Sequence, residues 1–268
     1  MKIIGILLVK DEDLYVERVL RNAIDFCDKV IAVEGPSSDR TLEILRDLEK
    51  GEFSGKLEVH SVLTPAVSHD LIQGYAGTDA WVFGFDGDEI YDPAGLARFR
   101  KRLESGEFDG DWCLFGNVLN VRRINVAEGW AQGHLAPPCR SMTKLYNFNA
   151  IEAWHGPCRE RMHGGTIVFR NGYHEGLRRN LHEQVSWEDA DFRCLHPCFV
   201  RRSSRDEENP RNRDCIMDRH TWPILRFLRG WIAYLLRGAP RDSKEQRYGR
   251  GPLVTKDVTL FFPDSPGR

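Results

Sequence analysis

The chain has 268 residues, with 38 basic and 40 acidic side chains, 41% hydrophobic positions and 29% charged ones. That balance can bury a full core and excludes a disordered chain. The formal charge of -2 argues against a general nucleic-acid binder, although residues 201–250 carry 13 of the basic and 7 of the acidic side chains. No run of ~18 apolar residues predicts a transmembrane helix. Seven cysteines without a CxxC pair point to free thiols and a cytoplasmic setting.

In chain order, Ile3–Val9 is a short apolar run followed by Lys10-Asp11-Glu12-Asp13. It lacks a small-residue cleavage site and reads as a first strand, not a signal peptide. Val16, Val19, Leu20, Ala23, Ile24 and Cys27 have helical spacing, with Asp13 as the expected N-cap. Lys29–Glu34 reads as a second strand, and Leu42, Ile44, Leu45 and Leu48 mark a second helix. Leu57–Val62 is a third strand, Pro65–Tyr75 a helix, and Ala80–Phe85 a fourth strand ending at Asp86. This alternation predicts an α/β fold whose mostly parallel, Rossmann-like sheet has helices on both faces. Ligands in such sheets bind beyond the carboxyl ends of the strands.

The second half is less regular. Trp112–Val121, Thr143–Phe148, Thr166–Arg170 and Phe192–Leu195 read as strands. Residues 203–214 are polar and read as a linker or exposed loop. Residues 221–237 predict an amphipathic helix with a wide apolar face, suited to a membrane surface, a homodimer interface or the core. The Pro/Gly-rich tail from Gly238 reads as a surface wrap.

Acidic residues gather at the predicted strand ends: Asp11 and Glu12 after the first, Glu34 and Asp39 after the second, and Asp86, Asp88 and Glu89 after the fourth. Carboxylates clustered this way repel unless a cation lies among them, and a hard divalent ion takes oxygen ligands. Asp-x-Asp alone is equally an acidic turn with Asp88 capping the next helix. Cys194-x-His196-x-Cys198 matches no common zinc module.

Two segments resemble glycosyltransferase family 2. Glu34-Gly-Pro-Ser37-Ser-Asp39-Arg-Thr41 is similar to its D-D-G-S-T-D-G-T segment, with Glu34 in place of the first Asp. Trp81 to Pro93, WVFGFDGDEIYDP, is similar to its W-x-x-x-x-D-A-D-E-x-x-x-P segment. The resemblance covers roughly residues 1–200 and implies a GT-A catalytic domain over 1–204. Its nucleotide-binding half would be about 1–95 and its acceptor and metal half about 96–204. A helical C-terminal extension would span 205–268.

The implied activity is transfer of a sugar, with inversion, from a nucleoside-diphosphate sugar to a hydroxyl acceptor on a glycan, a lipid-linked molecule or another partner. Val9, Lys10, Asp11, Glu34, Ser37, Asp39 and Asp86 would line the donor pocket. Asp88, with Asp86, would bind Mn2+ or Mg2+. His196 is the expected late metal ligand, with His174 as the alternative, and Arg201 and Arg202 would meet the diphosphate. Gly156-Pro157-Cys158-Arg159-Glu160 sits where relatives carry G-x-V-H-E, which makes Glu160 the expected general base, with Asp191 and Glu152 as alternatives. Trp130–His134 and Trp154-His155 could form acceptor walls, since sugars stack on aromatic faces, and the tryptophans are equally candidates for the core. The competing readings are a nucleotidyltransferase of related fold, a non-catalytic sugar-nucleotide binder and a sugar transferase acting on nucleic acid.

Overall fold

The structure, a computed structural model, describes residues 1–139, 144–206 and 243–264. The first apolar runs form β1 (Lys2–Val9), β2 (Lys29–Glu34), β3 (Leu57–Ser61) and β4 (Ala80–Asp86), all parallel. Three later strands, β6 (Cys113–Phe115), β9 (Lys144–Asn147) and β12 (Arg178–Asn180), complete a seven-stranded sheet of order β12-β6-β9-β4-β1-β2-β3. Only the two pairings of β9 are antiparallel, so the fold is α/β with a mostly parallel central sheet.

Alternation along β1 sets the two faces. Ile3, Leu7 and Val9 join the core with α1 (Val16–Ala23), α2 (Thr41–Lys50) and α4 (Pro93–Glu104). Ile4, Ile6 and Leu8 face a second core, built with the 71–76 segment that follows the short helix α3 (Val67–Asp70) and with a ribbon of β10 (Ile151–Glu160) and β11 (His163–Phe169). Trp154, expected in an acceptor wall, is buried in that core against Tyr146 and Phe148.

A second sheet has the order β14-β8-β7-β13-β5, formed by β5 (Ile90–Tyr91), β7 (Asn117–Asn125), β8 (Trp130–Leu135), β13 (Arg193–His196) and β14 (Leu253–Asp257). The single strand expected over Trp112–Val121 is therefore two. Gly116 separates β6 from β7, which lie in different sheets.

The described part of the tail runs along the surface, where it also adds a strand and anchors two buried side chains, Val258 and Phe261. β14 pairs with β8, and Phe261 is 1% exposed and stacked on Trp187. Before β14, the helix α6 (Ser243–Tyr248) sets the Tyr248 ring edge-on to His196. Cys139 is buried beneath this segment, where its Sγ accepts from the Arg250 N–H at 3.2 Å. The remaining short helix, α5 (Leu181–Gln184), follows β12. The amphipathic segment 221–237 lies outside the described residues. Among the described residues, no helix is long and apolar enough to cross a membrane.

Candidate active site

The carboxyl ends of β1, β2 and β4 meet at one edge, where the apolar runs stop and acidic residues begin. Gly87 makes the closest approach. Its N–H donates to Leu8 O at 3.0 Å, and a Cβ there would lie 2.4 Å from Glu12 Oε2 and 2.6 Å from Val9 Cγ2. Only glycine lets the 86–89 turn rest on the end of β1.

Register explains how His196 reaches this turn. β5 follows the turn directly and pairs antiparallel with β13, Ile90 opposite Leu195, so the residues before Ile90 run alongside those after Leu195. His196 Nε2 lies 3.7 Å from Asp88 Oδ2. On the neighbouring strand, the register partner of His196 is Asn120. Asn120 Nδ2 donates to His134 O at 3.4 Å, which leaves Asn120 Oδ1 to accept from His196 Nδ1–H at 2.9 Å. Burial, only partly opposed by the Asp88 charge, pushes the imidazole down to about 4. At neutral pH its Nε2 lone pair therefore faces the Asp88 carboxylate. His174, by contrast, sits in an exposed turn and accepts from Gly176 N at 3.1 Å.

The two aspartates of the Asp-x-Asp segment face different guanidinium groups. Arg202 Nη1 contacts Asp88 Oδ2 and lies 3.3 Å from Glu12 Oε1. Burial opposes the Arg202 charge, but Asp88 and Glu12 outweigh it and hold the group protonated. Asp86 Oδ1 lies 2.8 Å from Arg161 Nη2, and the same nitrogen is 3.5 Å from Glu160 Oε1. Arg161 is 7% exposed, donates to Phe85 O at 2.9 Å, and has φ 35° at the β10–β11 tip. The left-handed backbone that an L-residue rarely adopts is what turns this tip back onto β4.

Glu160 is held on two sides. His163 Nδ1 is 2.9 Å from its Oε1, and Lys144 Nζ lies 3.1 Å from His163 Nε2. Burial raises the Glu160 carboxyl, but His163 and Arg161 overcome this and bring it down to about 2. Glu89, 1% exposed, goes the other way: burial beside Asp86 pushes it up to about 8. Of the alternative bases, Asp191 is ion-paired with Arg98 at 2.7 Å and Arg102 at 3.5 Å, and Glu152 is exposed at the start of β10.

At the end of β2, Glu34 is fully buried. It accepts from Ser37 N at 2.6 Å and from Ser61 Oγ at 2.6 Å, so its carboxylate shapes the 35–38 turn. Asp11, with φ 52°, accepts from the Ser38 N–H, while its own N–H donates to Ser37 Oγ at 3.0 Å. Asp39 accepts from Thr41 Oγ1 and from Ser203 Oγ, both at 2.6 Å. These bonds outweigh burial and lower its carboxyl. Val9 is buried and Lys10 half-buried beside them.

Asp13 is not the expected cap. α1 begins at Val16 without a side-chain cap, and Asp13 accepts from Ser204 N at 2.6 Å and from Ser204 Oγ. Of the expected 203–214 loop only 203–206 lie among the described residues; Ser204 and Arg205 are exposed there, while Ser203 is buried. Arg201 folds back on its own loop, donating to Ser203 O at 2.9 Å and to Ser204 O. A separate cleft of about 590 Å³, lined by Arg21, Asp25, Phe53 and Lys56 among others, lies by the amino ends of β2 and β3, away from this chemistry.

At Asp88, the His196 imidazole nitrogen and a carboxylate oxygen face each other at 3.7 Å, and the Arg202 guanidinium already lies against that oxygen. Among the described residues no group of three or more His, Cys, Asp or Glu side chains is arranged to hold a metal. Asp86 is ion-paired with Arg161 at 2.8 Å. Arg161, Asn120 and Ser203 were not legible as site residues. All three are polar side chains buried by contacts distant in sequence.

No family model and no curated protein matches the chain. Among solved structures it is similar to S. aureus TarS, at 18% identity over 55% of this chain and 47% of that one, with a TM-score of 0.38. The mannosyltransferase PcManGT from Pyrobaculum calidifontis, solved with GDP-Man and Mn2+, is 14% identical over 72% and 56% of the two chains, with a TM-score of 0.39. A UDP-glucose pyrophosphorylase complexed with UDP-glucose is 10% identical over 63% and 90%, with a TM-score of 0.33. The chain spans about half the length of the first two.

Proposed function

We propose that this chain is a metal-dependent, inverting glycosyltransferase of family 2 type, which moves a sugar from a nucleoside diphosphate to a hydroxyl acceptor. The observation that carries this reading is the Asp88–His196 pair beside Arg202, at the carboxyl ends of parallel strands. Asp88 and His196 would hold Mn2+ or Mg2+, which offsets charge on the departing diphosphate. Asn120 fixes the His196 tautomer so that Nε2 is the ligating atom. Arg202 adds a guanidinium for the phosphate oxygens. Asp11, Ser37 and Asp39 line the nucleotide pocket, and Glu34 positions their turn.

Asp86 lies on the sugar side, kept in place by Arg161. Glu160 takes the proton of the acceptor hydroxyl. In the resting arrangement its low pKa makes it a weak base, so the acceptor must draw it away from His163 and Arg161.

The test is to incubate the full chain with a panel of sugar nucleotides, with and without Mn2+. Slow, Mn2+-dependent donor hydrolysis with inverted anomeric configuration is expected. Mn2+-dependent binding without hydrolysis would leave a binder. Pyrophosphate release from a nucleoside triphosphate and a sugar phosphate would make it a nucleotidyltransferase.

A further inference from the structure

Glu160 pairs with His163, so Arg161 and Met162 alone make the turn between β10 and β11. Arg161 takes a left-handed φ of 35°, which an L-residue keeps only where its surroundings impose it. Two adjacent side chains of α3 impose it here. Ser68 Oγ accepts from Arg161 N at 2.6 Å, and His69 Nδ1–H donates to Arg161 O at 2.8 Å. A carbonyl only accepts, so this contact places an imidazole proton on Nδ1. The Ser68 hydroxyl proton is itself committed to Pro65 O at 2.5 Å, which leaves the oxygen lone pairs for the Arg161 amide. Both side chains are buried, and the His69 ring stands edge-on to Trp154 at 5.6 Å. The N–H and the C=O of Arg161 belong to the two peptide planes on either side of its Cα. Fixing both planes fixes φ and ψ together.

We propose that Ser68 and His69 are positioning residues for the acceptor side of the site: by clamping both peptide planes of Arg161 they hold its guanidinium between Asp86 and Glu160. From the clamped backbone the side chain reaches β4, where it donates to Phe85 O at 2.9 Å and meets Asp86 at 2.8 Å and Glu160 at 3.5 Å. Without the clamp Arg161 relaxes to negative φ, which rotates the peptide it shares with Glu160 and swings the guanidinium off both carboxylates. The charged groups around Glu160 are Arg161 and His163, Lys144 of β9 behind His163, and Asp86 across the guanidinium. Loss of Arg161 from this set leaves the two carboxylates to repel and Glu160 held by His163 alone. That Glu160 is the base rests on the glycosyltransferase reading, whereas the clamp stands on the hydrogen bonds to Arg161.

Carboxyl-carbon NMR of the full chain, titrated with acid, follows Glu160 directly and needs no ligand. In the wild type Glu160 should remain ionised as pH falls toward about 2. His69→Phe keeps the bulk of the ring and removes the donor, and should raise the Glu160 titration by about one pH unit or more. His69→Asn, whose side-chain amide can donate to the same carbonyl, should return it close to the wild-type value. Ser68→Ala removes the other half of the clamp and decides where His69→Phe does not fold. In donor hydrolysis, His69→Phe should lower kcat by about tenfold or more with the donor KM unchanged, and His69→Asn should restore it. Folded variants in which Glu160 titrates as in the wild type would overturn the clamp. So would a rise that His69→Asn fails to reverse, because packing alone would then account for it. A raised and rescued Glu160 in a chain that turns over no sugar nucleotide would uphold the clamp and overturn the glycosyltransferase reading instead.

Discussion

Asp88 is 1% exposed, and that changes what its removal does. An aspartate at an open strand end is removed almost without effect on stability. Here Asp88→Asn strips the Arg202 guanidinium of one of its two carboxylates and should destabilise the fold by about 3 kcal/mol, as for other broken buried pairs. Chemical denaturation should show that loss, and Mn2+-dependent nucleotide binding should vanish in protein that remains folded. Glu160→Gln should keep donor binding and lower turnover by about 100-fold or more. It also has a pH signature. The folded Glu160 carboxyl is held at about 2, below its ordinary value near 4.5. The unfolded chain therefore binds the extra proton first, and the stability that Glu160 contributes is present above pH ~4.5 and lost as pH falls toward about 2. Melting curves of Glu160→Gln should be flatter across that acid window than those of the wild type. The strand-end acids were readable from the chain because each follows an apolar run. Arg202 was read as a diphosphate-binding group but not as the partner of Asp88, and Arg161 was not read as the partner of Asp86, because nothing local distinguishes a buried arginine from a solvated one.

The elements differ in the same way. β1, β2 and β4 are buried on both faces, so their near-continuous apolar runs are unmistakable in sequence, while the edge strand β3 alternates. The β10–β11 ribbon is half exposed, and its alternation is broken by register shifts and by Gly156, Gly164 and Gly165, all at positive φ. It was legible only over Thr166–Arg170, yet it brings Glu160 and Arg161 to Asp86. The pairing of β7 with β8 supports His196 from behind. A Cβ on Gly133 would lie 2.2 Å from Asn120 O, the backbone of the residue that fixes the imidazole. Gly133→Ala should therefore push the two strands apart and cost about 1–3 kcal/mol. Calorimetry should also find weaker Mn2+ binding in that variant, although residue 133 touches no ligand.

At the scale of the whole molecule, the two sheets are joined by the 86–89 turn and closed by the end of the described chain. Asn22, buried on α1, donates to Phe261 O at 2.8 Å, and Phe261 stacks on Trp187. Truncation before Leu253 removes β14 and that ring. Loss of a buried phenylalanine side chain costs about 3–5 kcal/mol, so the melting temperature should fall by roughly 10 °C or more. Its strand β14 was not readable from the chain because it is short, mostly exposed and flanked by Pro and Gly. Its seat on the body also gives the protein a built-in chemical clock. All six cysteines among the described residues are free and buried, and Cys139 lies under the 248–250 backbone. A thiol reagent reaches that sulfur only when the strand above it lifts. The labelling rate of Cys139 in an otherwise untouched protein would time each detachment of the carboxyl-terminal segment, and so report how often the wall behind His196 comes away.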